Sequence, residues 1–119
     1  MIPIRIHLNT FEENRSYAGF LMEEEGRITL SYEDEEGGRV EVTYVEDRLV
    51  IQRKSGAMVF NPLGMEEFFF NTPHGELGFR LVTHRLEGHE GLLESDYSLF
   101  DETGQLVHRN NLTLTYTKE

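Results

Sequence analysis

The sequence predicts an all-β fold, a single antiparallel up-and-down β-barrel of about eight to ten strands, that occupies one domain over residues 1–119. Apolar and polar residues alternate at period two along most of the chain, as expected for strands with one buried face. Turn residues interrupt this alternation about every 8–12 residues, and no segment has the period of roughly 3.6 residues that marks an amphipathic helix. So many strands would leave unpaired sheet edges, and closing the sheet into a barrel removes them.

The clearest element is a hairpin within Glu66–Leu86. Its turn is Thr72-Pro73-His74-Gly75, with proline and glycine at the positions where a type I turn prefers them. Pairing Thr72 with Gly75 puts the large apolar side chains of both strands on one face. A shift of one residue would turn them all to the other face, so the register is well specified. The opposed pairs are Phe70 with Leu77 and Phe68 with Phe79.

Six shorter strands are predicted before this hairpin. A two-residue turn at Ser55-Gly56 sets Met58 and Phe60 against Arg53 and Ile51. The six predicted strands cover Ile2–Leu8, Arg15–Met22, Arg27–Glu33, Val40–Tyr44, Leu49–Arg53 and Met58–Phe60.

Two further turns complete the predicted meander: the loop Gly88–Glu90, and the turn Asp101–Gly104 before the last strand, Leu106–Lys118. A three-residue loop, Gly88–Glu90, places Leu81 opposite Tyr97. In the last strand, Leu112 faces the core only if the preceding loop has four residues or a bulge lies near His108–Asn111, and the bulge is favoured.

This register predicts one set of inward-facing residues. A barrel of about eight strands has room for its own side chains or for one small ligand, so both a packed lumen and an occupied lumen remain open. The predicted polar inward residues are Arg53, Thr83, Arg85 and Ser95. The predicted apolar inward residues are Ile28, Leu30, Tyr32, Val40, Val42, Tyr44, Leu49, Ile51, Met58, Phe60, Phe68, Phe70, Leu77, Phe79, Leu81, Leu93, Tyr97, Leu99, Leu112, Leu114 and Tyr116.

The charge balance bears on the class of partner. Twenty-two acidic residues against eleven basic ones give a formal net charge of −11. A nucleic-acid binder needs a basic surface to replace counterions on phosphates, and the sequence contains no such cluster. An anionic membrane surface is disfavoured for the same reason. We therefore expect neither nucleic acid nor membrane as a partner, and the acidity indicates solubility and protected sheet edges.

The start of the chain and its composition predict a cytoplasmic protein. Met1–Arg5 lacks the charged start and apolar stretch of a signal peptide, and no apolar run approaches the roughly 20 residues of a membrane span. The absence of cysteine excludes disulfides, thiolate nucleophiles and cysteine-ligated zinc.

Short sequence elements that occur in a fixed order along nearly the whole chain point to a known family. They are Pro3-Ile4, Leu30-Ser31-Tyr32 before an acidic loop, Arg53 with Gly56, Gly75-Glu76-Leu77, Thr83, Tyr97 with Leu99, and Asn111, Thr113, Thr115 and Tyr116. In this order and spacing the chain resembles the YwiB-like family of uncharacterised bacterial proteins. The resemblance implies a calycin-type (lipocalin-like) barrel, and no activity is established for the family.

Metal and cofactor sites are not expected. The spacing of His84 and His89 suits metal binding on a helix but not on a strand. The acidic runs Glu23–Glu25 and Glu33–Glu36 belong to loops at opposite ends of a meander, so they cannot pool carboxylates for calcium. We expect no metal and no cofactor.

No arrangement of residues indicates catalysis. No histidine lies opposite Ser31, Ser55, Ser95 or Ser98 in the predicted register, and none of these serines sits in a glycine-flanked elbow. Glu94 and Asp96 lie on the outer face of their strand, whereas paired carboxylates for glycoside chemistry would have to point into the barrel. We expect that the protein is not an enzyme.

A binding module for a small apolar or acidic amphipathic ligand is the function that these observations favour. Arg53 and Tyr32 end strands on one side of the meander and should flank one mouth, with Arg53 available to a carboxylate. Alternatively, Arg53 reaches the acidic loop Glu33–Glu36 in a weak surface contact. The candidate ligand-binding residues are Tyr32, Arg53, Tyr44, Arg85 and Tyr97, with Tyr44 and Arg85 at the opposite mouth.

The alternative function is a protein-interaction module that uses the barrel rim or outer face and has a packed lumen. An exposed apolar patch would mark such a surface. The first two strands or a second copy of the chain could equally cover it, so monomer and homodimer both remain open. The candidate patch residues are Val82, Leu86, Leu92, Phe100 and Val107.

Overall fold

Ten antiparallel strands make up the structure, a computed structural model that describes residues 1–119. The all-β up-and-down barrel expected from the alternation is confirmed. The structure contains no helix long and apolar enough to cross a membrane. The strands are β1 (Ile2–Asn9), β2 (Asn14–Glu24), β3 (Arg27–Glu33), β4 (Arg39–Val45), β5 (Arg48–Arg53), β6 (Gly56–Phe60), β7 (Met65–Thr72), β8 (Gly75–His89), β9 (Leu92–Asp101) and β10 (Leu106–Lys118).

The strand order is β6-β5-β4-β3-β2-β1-β10-β9-β8-β7, so the first and last strands pair in the middle of the sheet. The two sheet edges are β6 and β7, which follow each other in the chain. They are joined by one backbone hydrogen bond, from the Asn71 amide to the Ser55 carbonyl at 3.2 Å. At this seam a side chain on Gly56 would overlap the Phe69 carbonyl oxygen. The barrel is therefore nearly closed, and glycine permits the close approach of the two edges.

The lumen is filled by one cluster of eighteen buried apolar residues. Phe60 is fully buried and its ring meets the edge of the Tyr97 ring at 5.0 Å. Phe68 stacks on Phe79 at 5.5 Å, and Phe70 packs against both. These aromatic contacts occupy the barrel below the rim of one end. The packed lumen is thus the arrangement that the structure adopts.

The central hairpin has the predicted register, with Thr72 opposite Gly75, Phe70 opposite Leu77 and Phe68 opposite Phe79. Leu77 itself is 52% exposed, so its placement in the core is wrong. The reason is that β8 pairs with β9 only from Phe79 onward, and the tip of the hairpin extends past the rim.

The predicted register of the turn between β5 and β6 is also wrong. The turn residues are Lys54 and Ser55, so Arg53 pairs with Gly56. Met58 therefore pairs with Ile51 and Phe60 with Leu49, two positions nearer the start of β5 than expected. The alternation is unchanged by a shift of two, so the inward residues of β6 are still correct. Gly56 belongs to the strand because the seam with β7 needs a residue without a side chain there.

The turn between β8 and β9 is Glu90-Gly91 rather than a three-residue loop, and a bulge lies between Thr83 and Arg85. Leu81 consequently pairs with Leu99, and Thr83 pairs with Tyr97. The extra residue reverses the alternation beyond the bulge.

The predicted bulge in the last strand occurs slightly earlier than expected, between Leu106 and His108. It keeps Leu112, Leu114 and Tyr116 buried, as predicted.

Candidate ligand-binding site

An open depression of about 930 Å³ lies at the end of the barrel where β3 and β5 terminate. Tyr32 and Arg53 both line it, at the end of the barrel where the strand count places them. Only three of the fifteen lining residues are apolar. The depression is therefore a polar surface above the packed core and not an entrance to an empty lumen.

Arg53 is the last residue of β5 and is exposed at the floor of this depression. Its guanidinium makes no ion pair, whereas Arg15 pairs with Glu35 at 3.3 Å and Arg39 approaches Glu41 at 3.8 Å. The alternative of a weak surface contact between Arg53 and the acidic loop stays a prediction, because Arg53, after Tyr17 and Arg15, also helps to lower the pKa of Glu35. In a chain with twice as many acidic as basic residues, an unpaired arginine leaves its charge available to an anion.

The charge of Arg53 acts on two buried tyrosines, of which Tyr32 lines the depression and Tyr97 does not. Burial raises the pKa of Tyr32, and the charge and hydrogen bonding of Arg53 oppose that rise. Burial also raises the pKa of Tyr97, and Asn110 and Arg53 oppose it. Both hydroxyls therefore stay protonated at neutral pH, and the Tyr32 hydroxyl can donate or accept a hydrogen bond at the depression.

Tyr17 of β2 completes the aromatic wall of the site. Its ring stacks on Tyr32 with centroids 4.5 Å apart and an interplanar angle of 28°. Gly19 makes room for the neighbouring strands here, because a side chain at that position would overlap the Ser31 carbonyl and the Ile6 side chain. The two tyrosines thus form one stacked pair on the side of the mouth next to Arg15.

Glu35 connects the acidic loop Glu33–Glu36 to Tyr17 and Arg15 of β2. The Tyr17 hydroxyl donates to Glu35 Oε1 at 2.5 Å, and Arg15 Nη1 lies 3.3 Å from the same oxygen. The hydrogen bond from Tyr17 lowers the pKa of Glu35. The pKa of Tyr17 is raised, mainly by burial and to a smaller extent by the hydrogen bond to Glu35 and the charge of Glu35. Glu35 therefore binds here as an ionised carboxylate.

The β1–β2 loop covers the neighbouring part of this barrel end. The side chain of Asn110, which is buried, accepts a hydrogen bond from the Phe11 amide at 3.0 Å and contacts His108 Nε2 at 2.8 Å. His108 Nδ1 in turn lies 3.7 Å from Glu12. This network fixes the loop next to Tyr97 and leaves the Arg53 side of the mouth open.

The structure does not bring Tyr44 and Arg85 into this site. The Tyr44 ring covers Gly88 at the opposite end of the barrel, as the strand count predicts, and its hydroxyl donates to Asp47 at 3.1 Å. No room for a ligand remains between Tyr44 and Gly88.

The prediction that Arg85 faces the lumen is wrong because the bulge at His84 turns it outward. Arg85 instead bonds Glu94 at 2.6 Å and Asp96 at 3.5 Å, the two carboxylates expected on the outer face. The same bulge turns Leu86 inward, where it packs against the core.

One of the serines considered as nucleophiles does contact a histidine, although no histidine lies opposite it: Ser98 pairs with Val82 and with Arg109. His84 Nε2 lies 2.7 Å from Ser98 Oγ. Ser98 is only 3% exposed, so its hydroxyl is not accessible to a substrate. No group of three or more histidine or acidic side chains is arranged to hold a metal ion.

Sequence reasoning missed three residues of the site: Arg15, Tyr17 and Glu35. The available signal was the period-two series Tyr17, Gly19, Leu21, which marks the inward face of β2. Glu35 had no comparable signal, because its contacts depend on how the loop folds back onto β2.

Of the remaining apolar patch, Val107 is exposed and Val82, Leu92 and Phe100 are half-buried. The neighbouring Met65, Phe69 and Leu106 are each about half exposed and lie on the same outer face in register with Val82, Gly78 and Phe100. This outer apolar surface runs over β7, β8, β9 and the start of β10.

Comparison with known proteins supports the fold. A family model described as "Domain of unknown function (DUF1934)" matches residues 7–114. The crystal structure of the ywiB protein from Bacillus subtilis is similar over 99% of this chain and 92% of that chain, with a TM-score of 0.74 and 19% sequence identity. At this identity the likeness shows the shared fold alone. None of the curated proteins matches the chain.

Proposed function

The chain belongs to the family described as a domain of unknown function (DUF1934), and from this premise we propose that it is a binding module for a small acidic ligand held at the Arg53 mouth. The observation that supports this most directly is the Arg53 guanidinium, which makes no ion pair and lines the same depression as the buried Tyr32. A charged hydrogen bond from arginine to a carboxylate is among the stronger polar contacts in proteins.

The surroundings of Arg53 limit the size and polarity of the ligand. The core fills the lumen, so a long acyl chain has no interior to enter. The stacked rings of Tyr17 and Tyr32 offer an apolar surface for a short hydrocarbon or aromatic part. We therefore favour a small amphipathic acid over a purely apolar molecule.

The proposal includes the other expectations about partners. A net charge of −11 argues against nucleic acid and anionic membranes. We also propose that the protein acts in the cytoplasm, without catalysis, and as a monomer or homodimer.

Titration with benzoate, followed by amide NMR, tests this function. We expect saturable shifts around Tyr32 and Arg53 with benzoate and none with neutral benzamide. Arg53→Gln should weaken benzoate binding about tenfold or more, because it removes a charged hydrogen bond. The matched control is Arg27→Gln, which makes the same change of charge at the opposite end of the barrel.

Urea unfolding of each variant separates loss of binding from loss of folding. The proposal is wrong if folded wild-type protein does not bind benzoate, or if folded Arg53→Gln binds it as tightly as the wild type does.

The second candidate is a protein-interaction module, and the outer apolar surface favours it. Met65, Phe69 and Leu106 expose large apolar side chains on adjoining strands, as docking surfaces commonly do. If this surface joins two copies, wild type should dimerise with increasing concentration in light scattering, and Phe69→Ser should remain monomeric.

A further inference from the structure

The contacts of Glu35 show that a carboxylate of this chain already occupies part of the mouth. Glu35 Oε1 receives the Tyr17 hydroxyl at 2.5 Å and lies 3.3 Å from Arg15 Nη1. One cationic donor and one neutral hydroxyl are the groups that an acidic ligand would use in this half of the depression. Arg53, which lines the same depression, makes no ion pair with Glu35 or with any other carboxylate.

The loop that carries Glu35 is held in shape by its own hydrogen bonds. Asp34 Oδ1 accepts from the Glu36 amide at 3.0 Å and from the Gly38 amide at 2.8 Å. The Asp34 amide also donates to the Gly38 carbonyl at 2.9 Å. The Asp34 carboxylate is therefore engaged within the loop, and Glu35 is the side chain that the loop presents to the mouth.

The charges around the depression are balanced. Four basic residues and four acidic residues line it, so its formal charge is zero. The basic residues are Arg15, Arg39, Arg53 and Lys54, and the acidic ones are Glu13, Asp34, Glu35 and Glu36. A ligand with one negative charge at Arg53 meets little repulsion, whereas a second negative charge near Arg15 would face Glu35 directly.

We propose that Glu35 is an internal competitor that selects for monoanionic ligands. It fills the Arg15–Tyr17 half of the mouth and leaves the Arg53 half for one acidic group of the ligand. A dianion that spans both halves must displace Glu35 from Arg15 and Tyr17. This inference rests on the proposed function, because it concerns the charge of the ligand that binds at Arg53.

Two probes that differ by one carboxylate test this selection. Benzoate carries one carboxylate, and isophthalate carries a second on the same ring. Wild type should bind benzoate more tightly than isophthalate. Glu35→Gln should tighten isophthalate binding about tenfold at low salt and benzoate binding only about twofold, because exposed charges interact strongly only at short range.

Glu36→Gln is the matched control, since Glu36 lines the same depression but its carboxylate makes no hydrogen bond or ion pair. It should leave the ratio of isophthalate to benzoate affinity close to the wild-type ratio. Urea unfolding should show that both variants remain folded.

The outcomes separate the two proposals. If benzoate binds through Arg53 but Glu35→Gln leaves the affinity ratio unchanged, the role of Glu35 is wrong and the proposed function stands. If Glu36→Gln changes the ratio of isophthalate to benzoate affinity as much as Glu35→Gln does, the proposed role of Glu35 is also wrong. The effect would then come from the total charge of the depression. If benzoate binds to none of the proteins, both proposals fail.

Discussion

At the scale of single residues, the face of a strand on which a side chain lies decides how much it contributes to stability. Phe68 and Phe69 are adjacent in β7, yet Phe68 is 4% exposed and Phe69 is 50% exposed. Phe68 contacts the rings of Phe70 and Phe79 in the lumen, whereas Phe69 lies on the outside. The same residue type therefore has two different roles one position apart.

Replacement of these two phenylalanines tests the barrel register. Phe68→Ala should lower the free energy of unfolding by about 3–5 kcal/mol, because it leaves a cavity in a packed core. Phe69→Ala should lower it by about 1 kcal/mol or less, since its ring is half exposed. Urea unfolding curves measure both values. Equal losses at the two positions would show that the assignment of faces is wrong.

At the scale of strands, contacts across the lumen close the barrel end opposite the candidate site. Tyr44 of β4 lays its ring on Gly88 of β8, and a side chain on Gly88 would overlap that ring. Gly88 lies on the inward face beyond the bulge, opposite Leu93. A glycine on β8 is thus what allows an aromatic ring on β4 to fill this end.

A double-mutant cycle measures this contact. Gly88→Ala should destabilise the wild-type protein by about 1–3 kcal/mol, because the added methyl group overpacks the barrel against Tyr44. In a Tyr44→Ala background the same change should cost clearly less, since the ring is gone. Urea unfolding of the four proteins provides the comparison. An identical cost in both backgrounds would contradict the proposed packing.

At the scale of the whole molecule, all five tyrosines have a pKa raised above the ordinary value of 10.0, in each case mainly by burial. Hydrogen bonds to carboxylates raise the pKa of two of them further, through Glu35 at Tyr17 and Asp47 at Tyr44. In the unfolded chain the tyrosines ionise near their ordinary pKa. Folding therefore favours the protonated hydroxyls, and alkaline pH opposes folding.

The expected result is a loss of stability at high pH. The tyrosines contribute no pH dependence to the free energy of unfolding below about pH 9. Above an ordinary pKa of 10.0, that free energy should fall as pH rises toward the raised values of the folded state. Tyrosinate absorbance should increase together with the loss of near-ultraviolet circular dichroism. Ionisation of all five tyrosines near pH 10 in a protein that keeps its tertiary signal would refute this.

The sequence by itself determined the fold class and most of the core. Period-two alternation assigns each strand one inward face, and burial of that face is a local consequence of pleating. Alternate loops of a meander lie at the same end of the barrel, and this parity is sufficient to assign Tyr32 and Arg53 to one mouth. The register of the central hairpin followed from Pro73 and Gly75, because a tight turn leaves few pairings.

Only the tertiary structure decided where the alternation breaks and which loops meet. The bulge at His84 exchanges the faces of Arg85 and Leu86, and its position depends on how β8 packs between β7 and β9. Glu35 reaches Tyr17, eighteen residues earlier in the chain, through a contact between loop and strand that no local pattern encodes. Alternation is a property of neighbouring residues, so it can be read from the sequence. Bulges and contacts between distant segments arise from the closure of the whole barrel, which sets the distances that separate them.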